Sequence, residues 1–466
     1  MDLDGTLVTI DLLHETAIGC LRLDPAGLRE IAGGLRRGKA AFKAEVCGRA
    51  PFDPSLLPYN QDLIAYLREQ NRLGRTIGLF TAADQSIAGA VARHLGLFSI
   101  VRASDGVTNL GGGRKLEAIR AAFGERFAYA GDHAVVDRPI FAAAEQVVLV
   151  GAVARLREGL PPGKPVEAEF PVPQAGLATW ARALRARHWA KNLLVFAAPI
   201  LGLHLSGVLL AQALLLFVLF GIVASATYLV NDLLDLAADR QHHSKCARPL
   251  ASGAIPARDG AFAAVSLLAA AFAASFALPW QAATALLAYL VVTLCYSLAL
   301  KRQPFVDVVA LAGLFTLRVL GGSVLIPDQV SLWLLTFSTL LFLSLAMIKR
   351  YAELDRVVGT GGAGVASRGY TAKDLSLLLS AGIAAAFTAL VIFTVYLIND
   401  QYPRDVYGHP GLLWAMIPIL LLWTLRLWRF TVQGRMDEDP VVFALTDRFS
   451  LILGSVVGLV LLAAWL

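Results

Sequence analysis

The stretch "NDLLDLAADRQHHSKCARPLASG", residues 231–253, sets three carboxylates and a basic tail between two long apolar segments. On a helix, Asp232, Asp235 and Asp239 stand at i, i+3 and i+7 and share one face. Asn231 joins that face through its i+4 and i+8 relations. Three carboxylates in one patch repel each other unless a cation joins them. Hard divalent ions such as Mg²⁺ take oxygen ligands and usually share them with phosphates. Lys245 and Arg248 follow closely and suit phosphate oxygens directly. The plain alternative is a solvated helix end.

The flanks explain where this charge lies. The chain has 466 residues, 57% hydrophobic and 16% charged, with a mean hydropathy of +0.62. The apolar excess begins at Trp189. From there nine runs approach the roughly 20 residues that span a bilayer. They cover residues 189–206, 208–230, 259–278, 280–300, 306–326, 331–348, 374–398, 411–428 and 449–466. One set of connecting loops holds Arg240, Lys245, Arg248 and Arg258, then Lys301 and Arg302. Further along come Lys349, Arg350, Arg356, Arg368 and Lys373, and last Arg426, Arg429, Arg435 and Arg448. The opposite loops hold Arg404. The positive-inside rule then sets the charged loops and the N-terminus in the cytoplasm of a bacterial-type inner membrane. The net charge of +6 is loop charge of this kind. No basic stripe interleaved with aromatics points to nucleic acid. Four cysteines, Cys20, Cys47, Cys246 and Cys295, form no CxxC pair and read as structural thiols.

Residues 231–253 resemble the first Asp-rich motif of the UbiA superfamily of membrane prenyltransferases, NDxxDxxxDR followed by KxxRPLxxG. "YSLALKR" (residues 296–302) resembles the family's next cytoplasmic signature, with Tyr296 and Lys301 as candidate substrate contacts. The resemblance covers about residues 181–466. It implies an all-α domain of nine transmembrane helices, a central cavity facing the cytosol, and Mg²⁺ on Asp232, Asp235 and Asp239. The second Asp-rich motif departs from the pattern. Aromatic prenyltransferases there resemble DxxYxxxD, whereas this chain reads "IKRYAELD" (residues 348–355). Tyr351 and Asp355 match, Ile348 replaces the first carboxylate, and Lys349 and Arg350 add positive charge. These cations suit a ligand with more phosphate. "KRYAEL" and "RARHWAKNLLVFAAP" (residues 185–199), with Arg187 and Lys191 at the expected cytoplasmic mouth, are similar to one branch, the decaprenyl-phosphate phosphoribosyltransferases. That branch implies phosphoribosyl pyrophosphate as donor and a polyprenyl phosphate as acceptor. Asp307 and Arg318 are ionisable groups at membrane depth and so expected to face a polar cavity. "GRMDEDPVVFALTDRFS" (residues 434–450) is also similar to that branch, without individual roles for its acids.

Residues 1–155 read as a separate soluble domain. "MDLDGTL" resembles the first motif of the haloacid dehalogenase (HAD) superfamily. "GLFTAAD" ends an apolar strand near Thr81, "GGGRKLEAI" sets Lys115 before a helix, and "FAYAGDHAVVD" carries Asp132 and Asp137. The four motifs follow the family's order. The resemblance implies an α/β Rossmann-type domain with a helical cap at about residues 12–75. Asp2 is then the nucleophile, Asp4 the acid and base, and Thr81 and Lys115 phosphate contacts. Mg²⁺ falls to Asp2, Asp132, Asp137 and the Asp4 carbonyl. A carboxylate nucleophile attacking phosphorus and a carboxyl protonating the leaving oxygen are sound chemistry in themselves. A buried parallel strand needs several apolar residues, yet Met1 alone precedes Asp2, so an upstream strand is expected. Residues 156–180 are Pro-rich and read as a linker.

The expectation is a bifunctional membrane enzyme: a Mg²⁺-dependent transferase of polyprenyl lipids with a fused phosphatase for its product. One alternative is a prenyltransferase acting on a polyprenyl diphosphate and an aromatic or other small acceptor. Another is a transporter or scaffold whose soluble domain is the enzyme.

Overall fold

Short apolar runs closed by Gly or Asp, such as "GLFTAAD" and "QVVLVG", are too short for helices and become parallel strands buried on both faces. The computed structural model describes residues 1–23, 33–34, 36–49, 52–326, 330–362, 364–365, 368–404, 406–436 and 440–466. The chain divides into two units. One is Met1–Leu184 with Tyr228–Ala264, and the other is Arg185–Thr227 with Val265–Leu466.

In the first unit β1 (Gly78–Asp84) pairs with β2 (Ile100–Ser104), and β3 (Ala128–Gly131) with β4 (Gln146–Gly151) and β5 (Val166–Pro171), all parallel. Both sheets are small. Residues 1–3 run between them. Phe80 N donates to the Met1 carbonyl at 2.9 Å and Asp2 N to the Ala130 carbonyl at 3.0 Å. Helices Gln85–Leu95, Gly113–Phe123, Arg138–Ala143 and Val153–Glu158 connect the strands. Leu3, Leu79 and Val150 pack on one side of the strands, and Phe80, Tyr129 and Val147 on the other. Helices Leu12–Leu23, Lys39–Arg49 and Gln61–Arg72 lie between Asp4 and β1, where a cap is expected. Residues 24–32 of that expected cap lie outside the described residues.

The expected linker needs correction. β5 lies within residues 156–180 and pairs with β4. The prolines masked the alternation of "VEAEF", whose glutamates guard a sheet edge. Glu167, for example, ion-pairs with Arg75.

Residues 228–264 fold with this first unit. The Gly207–Leu234 helix ends there, and the short Leu236–Gln241 helix follows. Gly253 has φ +76°, and a Cβ on it would stand 2.7 Å from Thr9 Oγ1.

Among the described residues, eight helices are long and apolar enough to cross a bilayer. They are Gly207–Leu234, Ala257–Ser275, Trp280–Leu298, Val306–Ser323, Leu332–Gly359, Asp374–Gln401, Pro410–Val432 and Arg448–Trp465. The ninth expected span, 189–206, is not a regular long helix. It is a 3₁₀ helix, Ala186–Phe196, followed by the short α-helix Ala197–Leu201. Pro199 has no N–H to continue a helical ladder, and the segment buries the polar Lys191 and Asn192. The Val306–Ser323 helix runs through Gly321 and Gly322 rather than breaking at them. They permit close packing instead: a Cβ on Gly322 would stand 1.8 Å from the Val195 carbonyl oxygen.

Candidate functional site

The Asp-rich stretch is bent rather than straight. Asp235 stands between the end of the Gly207–Leu234 helix and the start of Leu236–Gln241. Helical spacing survives the junction, because Asp235 N donates to the Asn231 carbonyl at 2.9 Å and Asp239 N to the Asp235 carbonyl at 2.8 Å. Asp232 and Asp239 are buried, while Asn231 and Asp235 are half-buried. Arg248 joins the two buried acids. Its Nη1 lies 3.1 Å from Asp232 Oδ1 and 2.7 Å from Asp239 Oδ2. Burial raises the Asp239 pKa, with Arg248 opposing it. Lys245 is half-buried on the turn before Arg248. Arg240 is turned away from the acids. Its two terminal nitrogens meet Glu15 at 2.7 Å each, and Nε donates to the Ala251 carbonyl at 2.8 Å.

The same unit carries a second acidic cluster, where residues 1–3 meet the end of β3. Oxygens of Asp2, Asp132 and Asp137 lie within 4.8 Å of one another. Lys115, buried at the start of its helix, donates to Asp2 Oδ2 at 2.5 Å and to Tyr129 Oη at 3.2 Å, and reaches Asp137 Oδ1 at 3.4 Å. Burial opposes the Lys115 ammonium, but Asp2 and Asp137 outweigh it and raise its pKa. Thr6 donates to Asp132 Oδ1 at 3.0 Å. Gly5 has φ +68°, and a Cβ there would stand 2.0 Å from Asp132 Oδ2, so the turn requires glycine. Burial, with Asp2 second, pushes Asp132 up to about 7. Burial, with Asp11 second, pushes Asp4 up to about 7, against a hydrogen bond from Leu12 N. Asp4 is therefore partly protonated near neutrality. Asp137 Oδ2 is buried without a hydrogen-bond partner. A convergent set of carboxylates with one orphaned oxygen fits a hard divalent ion. Thr81 is fully buried in β1, its Oγ1 accepting from Ala83 N at 3.0 Å.

The second unit holds two buried polar networks. Arg350, on the Leu332–Gly359 helix, bonds to Asp307 and Glu353, and Nη2 donates to Tyr296 Oη at 2.9 Å. Arg368 Nη1 donates to the same phenol at 2.9 Å. Tyr370 donates to Asp307 at 2.6 Å. Ile348 is fully buried in the apolar core. Lys301, Lys349 and Tyr351 are half-buried, and Arg187 is exposed. Tyr351 packs edge-on against Trp428. In the second network Arg318 donates to Asn192 Oδ1 at 2.8 Å, the Leu314 carbonyl at 2.6 Å and Tyr289 Oη at 2.8 Å. Its guanidinium lies 4.6 Å from the Tyr289 ring centroid. Three neutral acceptors and an aromatic face support this cation at membrane depth. Lys191 is buried, its Nζ 5.5 Å from the Phe315 ring centroid.

The UbiA prenyltransferase family matches residues 193–465, more than half of the chain. The chain belongs to the UbiA prenyltransferase family. As a UbiA protein it is an integral, multi-pass membrane transferase. An uncharacterized protein, y4nM, of Sinorhizobium fredii is 35% identical over 462 residues, 98% of this chain and 89% of that one. The decaprenyl-phosphate phosphoribosyltransferase of Mycobacterium tuberculosis is 32% identical over 276 residues, 57% of this chain and 87% of the enzyme. A UbiA homolog from Archaeoglobus fulgidus, solved with GPP and Mg²⁺, aligns with a TM-score of 0.46 at 16% identity, covering 62% of this chain and 98% of the homolog.

Several neighbours in this UbiA chain escaped the sequence reading. Lys43, from the Lys39–Arg49 helix, donates to the Ala82 carbonyl at 2.5 Å and to Asn109 Oδ1 at 3.0 Å, beside the strand that carries Thr81. No motif marks it. Tyr129 was legible only as an apolar strand residue, and Asn192 only through its spacing from Lys191. Asp447, in the stretch whose acids had no expected role, caps the Arg448–Trp465 helix through Ser450 N at 2.8 Å and pairs with Arg426. The Arg426 hydrogen bond lowers its pKa. Residues 437–439 of that stretch lie outside the described residues.

Proposed function

We propose that this chain transfers a 5-phosphoribosyl group from phosphoribosyl pyrophosphate to a polyprenyl phosphate, and that a HAD-type phosphatase in residues 1–155 then removes the 5-phosphate. The observation that carries the first step is the second motif. Ile348, where a prenyltransferase resembling DxxYxxxD has a carboxylate, is wholly packed in the core; the half-buried Lys349 follows it, and Arg350 is taken up by Asp307 and Glu353. The 32% identity to an enzyme named decaprenyl-phosphate phosphoribosyltransferase supports the same reading.

Asp232, Asp235 and Asp239 would hold Mg²⁺, which offsets the charge of the pyrophosphate that leaves. Asp232 and Asp239 each place an oxygen on one Arg248 nitrogen, which supports a cation beside these two; Asp235 is assigned to it by the motif alone. Asn231, Lys245, Lys301, Lys349 and Tyr296 are assigned to phosphate oxygens, and Arg350 to holding Tyr296. Arg187 and Lys191 are assigned to the lipid phosphate or the sugar 5-phosphate. A lipid phosphate oxygen bonds to ribose C1 as the bond from C1 to the pyrophosphate oxygen breaks.

In the phosphatase step the Asp2 carboxylate attacks phosphorus. The ribose 5-oxygen leaves with a proton from Asp4, whose raised pKa suits that task. Asp4 then takes a proton from the water that cleaves the aspartyl phosphate. Thr81 and Lys115 hold phosphoryl oxygens, and Asp2, Asp132 and Asp137 would hold the second Mg²⁺. Fusion keeps the phosphorylated product at high effective concentration for the second step. Both steps are assigned to the cytoplasmic face of the inner membrane.

The test is incubation of purified protein with polyprenyl phosphate and ribose-labelled phosphoribosyl pyrophosphate. Label in the lipid fraction is expected. Lipid without ribose overturns the first step. Asp2→Asn should leave the labelled lipid carrying its 5-phosphate, and an unchanged product overturns the second.

A further inference from the structure

Arg240 closes the run that resembles NDxxDxxxDR, yet its side chain leaves the carboxylates of that run. Nη1 and Nη2 donate to the two carboxylate oxygens of Glu15 at 2.7 Å each, a bidentate fork. The two side chains are 9% and 10% exposed, so salt and water screen the pair little. Nε donates to the Ala251 carbonyl at 2.8 Å. Ala251 stands in the middle of a closed turn, in which Ser252 N donates to the Arg248 carbonyl and Ile255 N to the Pro249 carbonyl, each at 2.9 Å. At the head of that turn Arg248 reaches Asp232 and Asp239. A packing contact backs the ion pair. Gly253 lies against the N-terminal segment: a Cβ on it would stand 2.7 Å from Thr9 Oγ1, 2.9 Å from Ile10 Cγ2 and 3.2 Å from Pro58 Cγ. Thr9 is itself tied down, its N donating to the Pro58 carbonyl at 3.1 Å. Glu15 sits in the first turn of the Leu12–Leu23 helix, which is fixed at its start by Leu12 N donating to Asp4 Oδ1 at 3.0 Å.

We infer that Glu15 is a positioning residue of the lipid-transfer site, acting through Arg240, a role that rests on the assignment of Asp232, Asp235 and Asp239 to Mg²⁺ and pyrophosphate. Glu15 holds the Arg240 guanidinium, Arg240 holds the turn at Ala251, and the turn sets Arg248 between Asp232 and Asp239. Glu15 lies outside residues 193–465, where the UbiA family matches, so the N-terminal segment supplies one part of this site. The charge of Glu15 matters as well as its shape. A buried guanidinium that loses its carboxylate is left uncompensated. The carboxylate next to Arg240 in the sequence is Asp239, so a released Arg240 competes there with the metal and with Arg248.

Full-length Glu15→Gln, Arg240→Gln and the double variant test it beside the unaltered chain. In metal-free protein, hydrogen exchange followed by mass spectrometry should show residues 248–255 exchanging ~10-fold faster in Glu15→Gln, as a local opening demands, with β1 and β4 unchanged. The Mg²⁺ concentration that half-saturates pyrophosphate release should rise ~10-fold or more, as it does when a group behind metal ligands is lost. Because Glu15 acts through Arg240, the double variant should match Arg240→Gln in both readouts. Unchanged exchange at residues 248–255, exchange that quickens in β1 and β4 as well, or a double variant worse than Arg240→Gln overturns the proposal. An unaltered chain that releases no pyrophosphate from phosphoribosyl pyrophosphate sinks the transfer reading alone, and the exchange result still decides whether Glu15 holds the Asp-rich turn.

Discussion

Arg350→Leu isolates the buried charge pair of the second unit. The Arg350 side chain is 2% exposed and that of Asp307 0%. Asp307 is held by Arg350 and by the Tyr370 hydroxyl at 2.6 Å. Without the guanidinium, a buried carboxylate keeps one phenol as its partner, and Tyr296 loses a donor. Removing one member of a buried ion pair costs about 3–5 kcal/mol. At ~2–4 °C per kcal/mol for a domain of this size, the melting midpoint falls by ~6–20 °C. Asp307→Leu alone should cost a similar amount, because it strands the guanidinium. The double variant Asp307→Leu/Arg350→Leu removes both charges and should recover most of the loss, since apolar replacements of buried pairs are often neutral. Thermal unfolding of the four proteins in detergent measures this. Single losses below ~1 kcal/mol, or a double loss equal to the sum of the singles, would show that Asp307 and Arg350 are not a coupled buried ion pair.

Asp235→Asn should lower lipid transfer by on the order of 10²-fold or more while phosphatase activity on p-nitrophenyl phosphate persists; parallel loss of both activities counts against separate sites. Asp2→Asn should do the reverse, removing p-nitrophenyl phosphate hydrolysis and sparing transfer of label to lipid. The pH dependence follows from Asp4 and Asp132, each raised to about 7 from 3.8. In metal-free protein the folded state keeps protons that the unfolded chain has already released. Their stabilisation is full below about pH 4 and is lost as pH rises towards about 7. Mg²⁺ requires ionised carboxylates, so it should raise the melting midpoint more at about pH 7.5 than at about pH 5.5. An equal Mg²⁺ effect at both pH values contradicts a metal site at Asp2, Asp132 and Asp137.

The Asp-rich stretch was legible because its order is local: Asp235 N donates to the Asn231 carbonyl and Asp239 N to the Asp235 carbonyl, as helical spacing predicts. Arg248 was legible as a cation for phosphate, but its bridge between Asp232 and Asp239 depends on how the chain folds back after His242. Lys115, Asp132 and Asp137 were marked by strand ends and a helix start. Lys43 and Tyr129 reach the same region only through tertiary packing and carry no sequence mark. The first span misled because hydropathy counts apolar residues and ignores what Lys191 and Asn192 must bond to. β5 was lost for the opposite reason, since flanking prolines outweighed a short alternating run. Arg240 shows a further limit: a residue of the Asp-rich motif takes Glu15, 225 positions earlier, as its partner.

The most direct measurement offers the purified protein both donors together: phosphoribosyl pyrophosphate with polyprenyl phosphate, and a polyprenyl diphosphate with an aromatic acceptor. Released pyrophosphate and the masses of the lipid products are followed. Released pyrophosphate should be matched by ribosylated polyprenyl phosphate, with the polyprenyl diphosphate left intact. Consumption of the polyprenyl diphosphate, with phosphoribosyl pyrophosphate untouched, would contradict it.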